Sequence, residues 1–176
     1  MKILKIILSI ILFLFLGWIA ICIFSKDQLI VEESMQMNCS SETVFEQIND
    51  FENWVNWSPW HALDPNMKMD YVSNNTAGLG AKYKWVSEHD RVGVGSSEIV
   101  ESVPNKRVKI DLDFGQGPGN YATFLLEDNN EGCMVTWKME GAKLSFWFKA
   151  FNTLMQSSVE DSYKTGLTNL STLCNQ

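Results

Sequence analysis

FENWVNWSPWHALDP, residues 51–65, places three tryptophans, a Ser-Pro turn and a histidine within fifteen residues. Proline fixes φ, so Ser58-Pro59 forms a rigid turn. Two uses of the stretch are open. Trp57 and Trp60 line the mouth of a ligand cavity and stack on a flat ligand, or they close one end of a sheet against a helix. His61, with Asp64 three residues on, is the acid/base candidate, because imidazole titrates near neutral pH when a partner orients it. The string supplies no nucleophile and no oxyanion hole, and a lone loop histidine is ordinarily a surface residue. His89, between Glu88 and Asp90, reads as a hairpin tip.

Before the stretch, Ser40-Ser41-Glu42-Thr43 opens a short helix, with Ser40 as N-cap and Glu42 near the positive end of the dipole. Val44, Phe45 and Ile48 form its apolar stripe, and Asp50 ends it. Gln28 to Met37 alternates loosely and reads as a strand.

After the stretch the period becomes two. Met67, Met69 and Tyr71 alternate with charges, as do Ala81, Tyr83 and Trp85, then Val108, Ile110, Leu112 and Phe114. Ala122, Phe124 and Leu126 form another set, and Val135, Trp137 and Met139 the last. One apolar and one charged face is the mark of an antiparallel sheet with one solvated side. Asn74-Asn75, Pro104-Asn105, Gly115 to Asn120 and Asp128 to Gly132 supply the turns. Gly78-Leu79-Gly80 and Gly93-Val94-Gly95 lack the lysine and following helix of a phosphate loop and read as tight turns or bulges.

Helical spacing returns at the C-terminus. Leu144, Trp147, Phe148, Phe151, Leu154 and Met155 fall on one face. Ser157-x-x-Glu160 reads as a capping box opening a second segment, with Val159, Tyr163, Leu167, Leu170 and Cys174 as its stripe. An open sheet must cover its apolar face, and this last helix is long enough to do so. A curved sheet wrapped on one helix leaves an apolar hollow suited to apolar ligands.

The N-terminus is of another kind. Ile6 to Phe24 is uncharged over nineteen residues, roughly 28 Å of helix, close to the hydrocarbon thickness of a bilayer. A cleaved signal peptide is the rival reading, but no A-x-A-like site ends the run. Lys2 and Lys5 before the span against Lys26 after it place the N-terminus in the cytoplasm and the domain outside, as a single-pass protein of the cell membrane. The expected division is an anchor over 1–27 and one ligand-binding domain over 28–176. That domain holds 11 Lys+Arg and 20 Asp+Glu, a balance of −9. Such a charge argues against nucleic acid as a partner, and a membrane contact is expected only through residues 6–24. Cys39, Cys133 and Cys174 have no C-x-x-C spacing, so neither a zinc site nor any other metal or cofactor is expected.

The order of elements and several strings resemble the helix-grip superfamily of START domains and the major birch pollen allergen, most closely its polyketide cyclase/dehydrase (SRPBCC) branch. The carrying residues are Val44-Phe45, Trp54, Trp57-Ser58-Pro59-Trp60, Asp64-Pro65, Gly78 and Gly80, Tyr83 and Trp85, Gly93 and Gly95, Ile99 to Pro104, Val135-Thr136-Trp137, Gly141, and Gly166 to Leu170. The resemblance spans roughly residues 29–173. It implies an α+β fold: a curved antiparallel sheet of about seven strands wrapped on a long C-terminal helix, here preceded by one transmembrane helix. It implies a cavity but not one reaction. In that fold the first and last strands are neighbours, which sets Cys39 near Cys133 as a possible disulfide and leaves Cys174 free.

Ligand-binding candidates are Trp57, Trp60, Tyr83, Trp85, Ile99, Glu101, Ile110, Leu112, Phe124, Trp137 and Trp147. On a regular strand Glu101 shares a face with Ile99 and Val103, where an apolar cavity would raise its pKa; a bulge would instead turn it outward. Glu101, Tyr83 and Tyr121 are candidate polar contacts. Phe146-Trp147-Phe148 reads either as packing over the cavity or as a membrane-touching edge. The leading expectation is a membrane-anchored binder of a small hydrophobic or lipid-like molecule. The alternatives are a cyclase, dehydratase or hydratase using one acid/base residue, Glu101 or His61, and a protein-interaction module with a filled cavity.

Overall fold

The computed structural model describes residues 2–72, 74–115 and 119–175. The chain runs α1 (Lys2–Phe24), β1 (Gln28–Met37), α2 (Ser41–Asn49), a 3-10 turn (Phe51–Asn56), α3 (Pro59–Leu63), β2 (Lys68–Tyr71), β3 (Lys82–Val86), β4 (Val94–Val103), β5 (Arg107–Asp113), β6 (Asn120–Asn129), β7 (Gly132–Lys143), a second 3-10 turn (Phe146–Phe151) and α4 (Asn152–Leu173). The strands form one antiparallel sheet of seven in the order β1-β7-β6-β5-β4-β3-β2. The period-two runs are these strands. Of the turn expected over 115–120, residues 116–118 lie outside the described residues.

Ser40 caps α2 as expected, its Oγ accepting from the Thr43 amide at 3.3 Å. The other end of α2 explains the tryptophans. The last turn of a helix leaves carbonyls without partners. Trp54 Nε1 donates to the Ile48 carbonyl at 3.0 Å, and Trp57 Nε1 to the Gln47 carbonyl at 3.1 Å. Both rings then pack into the core, against each other and against Phe124.

α4 is seated on the sheet by a stack. The Tyr163 ring lies 3.8 Å from that of Trp137, nearly parallel, and the Phe124 ring also stacks on Trp137, at 4.6 Å. Close approach is possible because Gly166 faces Trp137: a Cβ there would sit 2.7 Å from Trp137 Cζ3. Asn169 Nδ2 donates to the Trp57 carbonyl at 3.0 Å, and Lys164 Nζ lies 3.4 Å from Glu33 Oε1 of β1.

Three expectations are corrected here. First, α4 is one helix from Asn152, with Ser157 in its interior, so no capping box opens a second segment. The residues before it form β7 and a 3-10 turn, and Leu144, Trp147 and Phe148 share no helical face with α4. Second, Cys133 is paired in register with Met37, two residues before Cys39, and its buried side chain points into the core. Cys39 lies beyond the strand, where the end of α4 arrives, and its disulfide partner is Cys174, with Cα atoms 5.4 Å apart. Cys133 and Cys22 are the free cysteines. Third, the β4–β5 register shifts between Ile99 and Glu101. A one-residue slip turns side chains to the opposite face. Glu101 therefore meets Arg107 on the solvated side, while Ser102 faces inward and donates to Asn49 Oδ1 at 2.7 Å.

Candidate ligand groove and inner cavity

Two hollows lie between sheet and helices. The inner one, about 100 Å³, is enclosed by Ser58, Trp60, His61, Met67, Tyr83, Trp85, Arg91, Val92, Ser97, Leu112 and Phe114. The outer one, about 530 Å³, is a groove under the first half of α4. Leu29 of β1, Met139 and Gly141 of β7, and Leu144 form its floor. Met155, Ser158 and Val159 of α4 form one wall. Asp90, Arg91, Phe114, Asn120 and Lys143 complete it. Arg91 and Phe114 border both hollows, so they form the partition between them.

Turn chemistry makes this arrangement. Gly93, at φ 62°, closes the β3–β4 hairpin that carries Asp90 and Arg91. Gly95 has no room for a side chain, since a Cβ would collide with the Trp85 ring at Cζ2; that ring meets Phe114 in a T-shaped contact. Gly78 and Gly80 also adopt positive φ in the turn before β3, as the sequence led us to expect of these glycines.

The polar groups of the inner cavity are few. His61 Nε2 lies 2.8 Å from Met69 Sδ, and Nδ1 is buried without a partner. Burial lowers the imidazole pKa, so the ring is neutral near pH 7. Asp64 does not orient it: that carboxylate accepts the Ser87 hydroxyl and the Asn66 amide. Burial pushes the Tyr83 phenol far above its ordinary value, opposed by a hydrogen bond with Ser97. Among the described residues, no group of three or more His, Cys, Asp or Glu side chains is placed to hold a metal.

Of the sequence candidates, Trp60, His61, Tyr83, Trp85 and Leu112 line the inner cavity. Trp57, Ile99, Ile110, Phe124 and Trp137 are buried core residues that border neither hollow. Tyr121 lies on the outer face, with Lys109 Nζ 4.2 Å from its ring centre. Trp147 is half-exposed and stacks on Phe15 of α1, away from both hollows. Glu101 is outside, as described above. The groove residues Leu29, Arg91, Phe114, Asn120, Met155 and Val159 were not among the ligand-binding candidates. Inward periodicity marks Leu29 and Phe114, but nothing local marks a hairpin arginine as facing a groove.

The seven-stranded antiparallel sheet gripping one long helix, with an apolar hollow between, is matched in sequence over residues 28–175 by the family model for polyketide cyclase / dehydrase and lipid transport. The chain belongs to this family. No curated protein matches it in sequence. Solved structures share the fold at low identity. A protein of unknown function from Staphylococcus aureus superposes with a TM-score of 0.66 at 11% identity, covering 87% of this chain and 96% of that one. A protein from Chromobacterium violaceum gives 0.61 at 15%, covering 84% and 98%. A protein from the dynemicin biosynthetic locus gives 0.59 at 12%, covering 86% of this chain and 48% of its own length. What this family member has beyond the matched region is α1, a 23-residue helix long and apolar enough to cross a membrane.

Proposed function

We propose that this family member binds a small hydrophobic or lipid-like molecule in the groove between sheet and α4, with its domain held at a membrane by α1. The groove carries the reading. Its volume, about 530 Å³, lies within the range of roughly 300–1,000 Å³ usual for small-molecule sites, and the inner cavity alone lies below it. Leu29, Phe114, Leu144, Met139, Met155 and Val159 supply apolar burial, and Arg91, Asn120 and Lys143 offer a few polar contacts that would orient one end of a ligand.

The anchor reading rests on α1 and on the disulfide. Disulfides persist outside the reducing cytoplasm, so Cys39–Cys174 supports a domain on the outer side with the N-terminus in the cytoplasm. Structural relatives share only the fold, so they leave the ligand open.

A catalytic reading has one supporting observation, the neutral His61 with its unpartnered Nδ1 beside the inner cavity. It lacks an orienting carboxylate, so binding is the stronger reading.

The deciding experiment is native mass spectrometry of the full chain in a mild detergent, with lipid extraction of the same sample. Binding predicts a defined extra mass that reappears in the extract. An unshifted mass across a panel of lipids and aromatic polyketide-like compounds would refute it.

A further inference from the structure

The residues from Gly141 to Val159 contain no acid and two lysines, in a domain with a net charge of −9. Large apolar side chains are exposed along the same run: Trp147 at 52%, Phe148 at 62% and Leu154 at 71%, with Phe146, Phe151 and Met155 beside them. Water is a poor solvent for so dense a patch. Its position names the solvent it suits. The 3-10 turn Phe146–Phe151 lies along α1, with Trp147 against Phe15 at 6.2 Å and Phe151 against Trp18 at 5.2 Å. Phe15 is nine residues before Phe24, the domain-side end of α1, which is about 14 Å along a helix axis.

The junction between α1 and the domain is held at several points. Asn152 Nδ2 donates to the carbonyls of Lys26 and Gln28, each at 3.1 Å, and the Leu144 amide donates to Asp27 at 2.7 Å. The Cys22 thiol points at the Trp147 carbonyl at 3.9 Å. The turn therefore follows α1 wherever α1 goes.

We infer that the Phe146–Phe151 turn and the first turn of α4 insert into the outer leaflet beside α1, forming a second membrane contact that opens the groove to the acyl chains. This rests on the groove being the ligand site. A 3-10 turn satisfies much of its own backbone, which hydrocarbon requires. Its aromatic rings suit the interface, and Lys149 reaches the phosphate level along its flexible stem. Leu144, just before the inserted segment, and Met155, at its end, are groove residues. A lipid chain thus passes from leaflet to groove without crossing water.

The test uses the full chain in nanodiscs made with lipids brominated along the acyl chain. Bromine quenches only tryptophans at acyl depth. Wild type is compared with Trp18→Phe and Trp147→Phe, both conservative changes. Insertion predicts that each variant loses part of the bromine-quenchable emission. Loss in Trp18→Phe alone overturns insertion and leaves the anchor standing. Loss in neither overturns both. A Trp147 shielded from aqueous iodide yet unreached by bromine points to a protein partner and also overturns insertion. The portal is then tested with Phe148→Glu and a pyrene-labelled fatty acid. Slower uptake from vesicles, with unchanged affinity for probe given in detergent, is expected; equal uptake overturns the portal. Wild type that never takes up the probe sinks the portal for fatty acids, while the bromine result still decides insertion.

Discussion

His61 and Gly166 show how single residues are constrained by their surroundings. Burial lowers the His61 pKa, so the unfolded chain takes up this proton at a higher pH than the folded one. Stability linked to His61 is present above the ordinary imidazole value and is lost as pH falls through it. Between about pH 7.5 and about pH 5 the thermal midpoint of wild type should fall further than that of His61→Gln. Equal falls would mean that His61 is not held neutral. At Gly166 two effects compete. Alanine favours a helix by about 1 kcal/mol over glycine, but its Cβ would meet Trp137 Cζ3 at 2.7 Å and Pro59 Cδ at 3.1 Å. Overpacking costs about 1–3 kcal/mol. Gly166→Ala should therefore lower Tm, by about 2–4 °C for a net loss of 1 kcal/mol. A rise in Tm would show that α4 is not seated on Trp137 as described.

At the scale of elements, the disulfide clasps the end of α4 to the entry of α2, joining residues 135 apart in sequence. Reduction, or Cys39→Ser, should lower stability by about 2–4 kcal/mol in chemical unfolding. Alkylation of the denatured, unreduced protein should label two cysteines, Cys22 and Cys133, and four after reduction; four labels without reduction would sink the assignment. The family resemblance pointed Cys39 toward Cys133 because in that fold the first and last strands are neighbours. The strands themselves were legible in the alternation of residues such as Val108, Ile110 and Leu112, and their order came only with the family resemblance. What alternation does not carry is where one strand ends against its partner, so the two-residue offset between Met37 and Cys39 was invisible. Glu101 fails for a related reason: a bulge adds one residue and flips the face, and no turn residue marks it. At α4 the aromatic run Phe146–Phe151 has helical spacing, yet it packs on α1 rather than on the sheet. Periodicity shows that a segment has an apolar side, not which surface that side meets.

At the scale of the whole molecule, the proposed ligand route leads from α1 through the groove toward the inner cavity. α1 packs on the aromatic turn, Leu144 before that turn and Met155 after it line the groove, and Arg91 and Phe114 border both groove and inner cavity. The groove is the proposed ligand site, so blocking it should separate folding from binding. Val159 is half-buried on the α4 wall of the groove, one turn before Tyr163 and its stack on Trp137. Val159→Trp would fill the groove with a large ring while leaving the Tyr163–Trp137 stack and Gly166 untouched. The variant should keep the Tm of wild type to within about 2–4 °C, the equivalent of 1 kcal/mol, and lose the co-purifying ligand mass. Arg91→Ala should act differently, retaining apolar burial while weakening binding of ligands with an anionic end and sparing neutral ones. Retention of the same ligand by Val159→Trp would move the site to the inner cavity, where only Trp60, His61, Tyr83 and their neighbours remain to hold it. In that case the catalytic reading of His61 would gain the substrate contact that it lacks while ligands are confined to the groove.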